Sequence, residues 1–146
     1  MINQTRRNFV KTTALAGTGA FMYLSSGKVM AFSPNEEVNI AIIGTGGRSY
    51  ALAQAIAGCK NITLTHACDV DSVRLDRFLK MAGERLGYIP KREKDFRRLL
   101  ENKEIDAIAI ATPEHWHAPM AIMGLDAGKH VYVEKPCSHN LHENEL

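Results

Sequence analysis

Two short clusters late in the chain hold residues able to do chemistry: Thr112-Pro113-Glu114-His115-Trp116-His117 and Glu134-Lys135-Pro136. Each follows an apolar run, residues 105–111 and 130–133, of the kind that forms a strand. In an open parallel sheet, ligands sit in the crevice beyond the carboxyl ends of the strands, so polar residues at two such ends point to a site. A lysine placed like Lys135 can bind a substrate hydroxyl and, if desolvated, take part in its deprotonation. The plain alternative is a solvated turn.

A third cluster, Gly44-Thr45-Gly46-Gly47-Arg48-Ser49, lies between an apolar run and a helical pattern. Gly44 permits a tight turn there. Gly46 lets the main chain come close to a pyrophosphate seated on the positive end of the following helix. Ser49 stands at the third glycine position and is small enough for helix–strand contact. Asp69 ends the next apolar run, where a carboxylate can accept hydrogen bonds from both hydroxyls of an adenosine ribose. A 2′-phosphate would meet that like charge, which favours NAD over NADP. Arg48 pulls the other way, because it could screen a phosphate. Two blander readings stay open: a glycine-rich turn that binds nothing, and Asp69 as a second helix cap beside Asp71.

Positioning these clusters takes alternating strands and helices. Residues 38–44 read as a strand apolar on both faces, as expected under helices on both sides. Residues 49–57 are helical and stop at Gly58. Residues 61–69 form the second strand, and Asp71 then caps a helix whose apolar face is Leu75, Phe78, Leu79, Ala82 and Leu86. Asp95 caps a shorter helix over 96–102. Residues 105–111 are a strand, 115–127 a helix ending at Gly128, 130–133 another strand, and Ser138 opens a further helix. The fold class is α/β: a doubly wound parallel sheet with right-handed crossovers.

The N-terminus is a different kind of sequence. Residues 1–11 are polar and basic, 12–27 are apolar but diluted with Gly, Thr and Ser, and Val29-Met30-Ala31 offers a small-residue cleavage site. That is the layout of a secretory signal, with an apolar run too short to span a bilayer. Arg6 and Arg7, followed by Phe9 and Lys11, resemble the twin-arginine signal read by an export machinery, with Val10 where Leu is usual. The expected organisation is a signal over 1–31, a linker over 32–37 and a cofactor-binding domain over 38–146, incomplete at its C-terminus. The expected location is the periplasm or another exported compartment.

The formal charge of +2 belongs to the signal: without its four Lys/Arg, 14 basic residues face 16 acidic ones, a net of −2. The domain has no cationic face for a phosphate backbone, so nucleic acid is not the partner. Three cysteines without a CxxC pair give no disulfide framework. His115, His117, Cys137, His139 and His142 approach the spacing of a metal set but lack a supporting second pair, and no metal is expected.

These residues resemble the Gfo/Idh/MocA oxidoreductase family, which includes glucose–fructose oxidoreductase and inositol dehydrogenase. The resemblance runs from Val38 to about Leu146 and is most specific in TPEHWH at 112–117 and AGKHVYVEKP at 127–136. It implies a Rossmann-type domain followed by a mostly antiparallel second domain that binds substrate and supplies catalytic partners. It implies that Gly44, Thr45, Gly46, Gly47, Arg48, Asp69, Thr112, Pro113, His117 and Glu134 face an NAD cofactor, with NADP the alternative. Lys135 would bind, or help deprotonate, the hydroxyl being oxidised.

The expected activity is oxidation of a secondary hydroxyl on a sugar or polyol by an exported enzyme, with the 146-residue chain inactive by itself. Outside the cytoplasm no free nicotinamide pool is expected, so the cofactor should be retained and regenerated within each cycle. One alternative is a glycoside hydrolase working through transient oxidation, as some family members do. Others are a nucleotide-binding module without catalysis and, more remotely, a metal-binding periplasmic protein. A sugar or glycoside is the expected partner, and a homo-oligomer stays open.

Overall fold

A computed structural model of the chain describes residues 37–140 and 142–145. The export signal expected in residues 1–31 and nearly all of the 32–37 linker lie outside the described residues.

The described residues form β1 (Val38–Ile43), α1 (Gly47–Ala57), β2 (Ile62–Cys68), α2 (Ser72–Leu86), β3 (Lys91–Glu93), α3 (Phe96–Glu101), β4 (Ala107–Ile110), α4 (His117–Asp126) and β5 (His130–Val133). All five strands are parallel and lie in the order β3-β2-β1-β4-β5. β1 therefore pairs with β2 on one side and β4 on the other, and the strand order reverses between them. A crevice opens at such a reversal.

The near-continuous apolar character of β1 follows from its two covered faces. Successive side chains point to opposite sides of a sheet. Ile42 packs with Leu64, Leu75 and Phe78 under α1 and α2, while its neighbours Ala41 and Ile43 pack with Phe96, Leu99, Ile108 and Ile110 on the other face. α2 buries the stripe read from its spacing, Leu75, Phe78, Leu79 and Ala82. Its N-terminus is held by Asp71, whose Oδ1 accepts from the Val73 and Arg74 amides at 2.9 and 3.2 Å. Asp95 does the same for α3, accepting from the Arg97 amide at 3.1 Å. Each such cap is worth about 1 kcal/mol.

Several elements differ from expectation. β3 was not legible: Lys91-Arg92-Glu93 has no apolar residue, because an edge strand this short gets its place from main-chain pairing with β2. The helix expected over 115–127 is a 3-10 turn, Glu114–Trp116, followed by α4. Gly58 closes α1 with φ −82°, an ordinary helical value, so the residue there need not be glycine. No helix opens at Ser138, whose hydroxyl donates to Asn140 O; the next element is the 3-10 turn His142–Glu145.

Candidate functional site

The turn after β1 is set by sterics. Gly44 has φ +88°, and a Cβ built on it would lie 2.7 Å from Ala111 O and 2.8 Å from Thr112 N. Glycine is needed here for its positive φ and because the end of β4 presses against it. At Gly46 and Gly47 an added Cβ would meet nothing within 4 Å. Protein packing does not ask for glycine at either place; the space beside the start of α1 is simply open. That start has no side-chain cap and no acid in its first turn. Its outward N–H groups and the positive end of the helix dipole are left to whatever occupies that space. Ser49 is fully buried and donates its hydroxyl back to Gly46 O at 2.6 Å, which explains how serine fits the third glycine position.

Asp69 follows β2 and is held by the glycine loop. Its Oδ2 accepts from the Thr45 amide at 2.8 Å and the Thr45 hydroxyl at 2.7 Å, and its Oδ1 accepts from the Asp71 amide at 2.9 Å. Burial pushes this carboxyl up, but the bonds from Asp71 and Thr45, with Arg74 nearby, outweigh it and hold the group below the usual carboxylate range. The reading of Asp69 as a second cap of α2 does not hold, since Asp71 alone receives the first helical amides.

Asp69 borders a cleft of about 700 Å³ at the carboxyl ends of the strands. Gly44, Gly46, Thr112 and Pro113 line it, and Phe96 and Trp116 form an aromatic part of its wall. The two rings meet edge-on with centroids 6.4 Å apart, and Trp116 stays 41% exposed. Cys68 also lines the cleft, but burial, helped by Glu93, Asp69 and Asp95, pushes its thiol up to about 12. It is a packing residue without nucleophilic character.

The other expected site residues form a second group. Arg48 Nε donates to Glu134 Oε1 at 2.6 Å, and the Tyr132 hydroxyl donates to the same oxygen at 3.1 Å. Glu134 is buried, and its bond from Arg48 holds it below the usual carboxylate range despite that burial. The pair ties the start of α1 to the end of β5, next to the exposed Lys135. The Lys135–Pro136 peptide is cis.

His117 is 2% exposed, with Nδ1 2.6 Å from Pro136 O and Nε2 2.8 Å from Thr112 O. His117 thus cross-braces the two strand-end turns, and neither nitrogen is offered to the cleft. Thr45 is likewise buried at 2%, its hydroxyl spent on Asp69.

The structure therefore brings together Gly44, Gly46, Asp69, Thr112 and Pro113 around one cleft, while Thr45, Arg48, His117 and Glu134 are not in its lining and make hydrogen bonds to other turns and strand ends. Sequence reasoning missed Arg74, Lys94 and Arg97 on the cleft wall and Tyr132 beside Glu134. Arg74 had a usable signal, because the first turn of a helix starting just after a strand-end carboxylate returns to the same rim. Among the residues that approach the spacing of a metal set, His139 Nδ1 pairs with Glu114 Oε1 at 3.1 Å. Among the described residues no three His, Cys, Asp or Glu side chains are grouped to hold a metal ion.

Residues 38–145 match the family described as "Oxidoreductase family, NAD-binding Rossmann fold" (GFO_IDH_MocA). A glycosyl hydrolase family 109 protein of Solibacter usitatus is 34% identical over 98% of this chain and 35% of its own length. Scyllo-inositol dehydrogenase from Lactobacillus casei, solved with NAD(H) and scyllo-inositol, is 31% identical with a TM-score of 0.64, over 75% of this chain and 31% of that one. Myo-inositol 2-dehydrogenase from Lactobacillus plantarum is 28% identical with a TM-score of 0.65, over 75% and 31%. The chain spans about a third of the length of these relatives.

Proposed function

Because the chain belongs to the Gfo/Idh/MocA oxidoreductase family, we propose that it is the cofactor-binding part of an NAD-dependent enzyme acting on a secondary hydroxyl of a sugar or polyol. The observation that carries this reading is the cleft at the strand-order reversal, with an open glycine loop at one side and the pinned Asp69 carboxylate at another. The residues present fit the cofactor. The uncapped start of α1 suits a diphosphate, and the bare space at Gly46 leaves room for it. Asp69 suits the adenosine ribose, and the wall of Phe96, Pro113 and Trp116 suits an aromatic base. When bound, NAD⁺ supplies the hydride acceptor.

The remaining work falls to the chain's own groups. Lys135 binds the substrate hydroxyl through Nζ and helps move its proton. Glu134, fixed by Arg48 and Tyr132, holds the strand end from which Lys135 projects. His117 locks the two turns on either side of that position. The NAD(H) bound in the Lactobacillus casei relative supports the cofactor, and its bound polyol supports the substrate class.

A second reading is favoured by the relatives named as family 109 glycosyl hydrolases: cleavage of a glycoside by transient oxidation, with the cofactor restored in each cycle. Export through the Arg6-Arg7 segment would favour such a retained cofactor. The test uses the full-length protein, purified without added nucleotide and analysed by mass spectrometry, then titrated with NAD⁺. Occupancy or saturable binding is expected, lost in Asp69→Ala; no binding at all would sink the cofactor assignment. Supplying glycosides and polyols then separates the two chemistries. Net formation of NADH marks a dehydrogenase, and aglycone release without it marks a hydrolase.

A further inference from the structure

The cleft wall discriminates between dinucleotides only if its carboxylate keeps one orientation, and the structure shows what holds it. We propose that Thr45, the second residue of the glycine loop, is a positioning residue that sets coenzyme preference through Asp69. This inference rests on the NAD reading above.

Thr45 delivers two hydrogen bonds to one oxygen, Asp69 Oδ2, from its amide at 2.8 Å and its hydroxyl at 2.7 Å. The Asp71 amide takes Oδ1 at 2.9 Å. A carboxylate offers about four acceptor sites. With three filled from inside the protein, the group cannot rotate without breaking a bond, and it has about one site left for a ribose hydroxyl. Thr45 is 2% exposed and not part of the cleft's lining, and its hydroxyl meets the cleft through Asp69.

Arg74 lines the same cleft and lies 3.4 Å from Asp71 Oδ2. It is the cation a 2′-phosphate would seek. While Asp69 is pinned and ionised, that phosphate meets a fixed negative charge at the rim. Removing the Thr45 hydroxyl takes one of the two bonds from Oδ2, leaves only the main-chain amides of Thr45 and Asp71 to hold the carboxylate, and loosens the fixed charge that a phosphate meets on its way to Arg74. Preference between NAD and NADP is thereby set partly inside the glycine loop, by a residue that need not touch either dinucleotide.

The test measures dissociation constants for NAD⁺ and NADP⁺ on the full-length protein as wild type, Thr45→Val, Thr45→Ser and Asp69→Asn. A hydrogen bond to a charged group is at stake, so Thr45→Val is expected to shrink the NAD/NADP affinity ratio on the order of tenfold. Thr45→Ser keeps the hydroxyl and should restore most of the ratio, which a purely structural role of Thr45 would not require. Should Thr45→Val fail to fold, Thr45→Ala supplies the same comparison. An unchanged ratio in Thr45→Val or Thr45→Ala, while Asp69→Asn collapses it, overturns the role of Thr45 and leaves the NAD site standing. Wild type binding neither dinucleotide overturns the NAD reading itself and this inference with it.

Discussion

Gly44 and Gly46 stand two residues apart in one loop, yet the structure gives them different reasons to be glycine, and alanine at each separates those reasons. At Gly44 an alanine would sit at φ +88° with its Cβ 2.7 Å from Ala111 O. Left-handed backbone costs a non-glycine residue about 1–2 kcal/mol. Forcing a methyl group against main chain that cannot swing aside adds about 1–3 kcal/mol. Lost freedom in the unfolded chain returns about 0.4–1 kcal/mol. The net loss is about 1–5 kcal/mol, a fall in Tm of roughly 4–40 °C for a domain of this size. At Gly46, φ is −72° and no atom lies within 4 Å of the added Cβ, so Gly46→Ala should hold or slightly raise Tm. Its methyl group would occupy the space assigned to the diphosphate, and the same overpacking range predicts an NAD⁺ dissociation constant raised roughly 5- to 150-fold. Thermal or denaturant unfolding and titration calorimetry read the two effects separately. Equal stability losses at the two positions would refute the packing argument. Unaltered NAD⁺ affinity in a folded Gly46→Ala would refute the placement of the diphosphate.

Three further outcomes follow from the braces. Replacing His117 by Leu takes the ring away from the part-buried carbonyls of Thr112 and Pro136; at about 0.5–1.5 kcal/mol for a hydrogen bond, chemical denaturation should show a loss in that range or above. Among the cysteines, Cys59 and Cys137 are exposed and Cys68 is buried, so native-state maleimide labelling read by mass spectrometry should modify two sites and spare Cys68 until the protein is unfolded. Asp69 and Glu134 both titrate lower in the fold than in the unfolded chain. The folded state thus binds fewer protons, and their contribution is fully present above the ordinary carboxylate pKa of about 4. It drains away as pH falls through the lowered values. Unfolding measured against pH should show this acid limb weakened in a folded Asp69→Asn variant, and an identical limb would count against it.

The elements built from near neighbours were legible in the residues alone. The apolar runs of β1, β2 and β4, the stripe of α2 and the capping carboxylates Asp71 and Asp95 depend on contacts a few positions away or on simple burial. The parallel order of strand and helix followed, and with it the likeness to the family that residues 38–145 match. The roles of individual site residues were not legible. Thr45, Arg48, His117 and Glu134 read as groups facing a ligand; in the fold the Thr45 hydroxyl also goes to Asp69, Nε of the half-exposed Arg48 to Glu134, and the His117 ring to Pro136. Those partners are distant in sequence and adjacent only because β1 lies between β2 and β4 with β5 beyond. Local chemistry therefore dictated which segments fold and where a crevice could open. The order of strands in the sheet decided which polar groups face that crevice and which hold its walls.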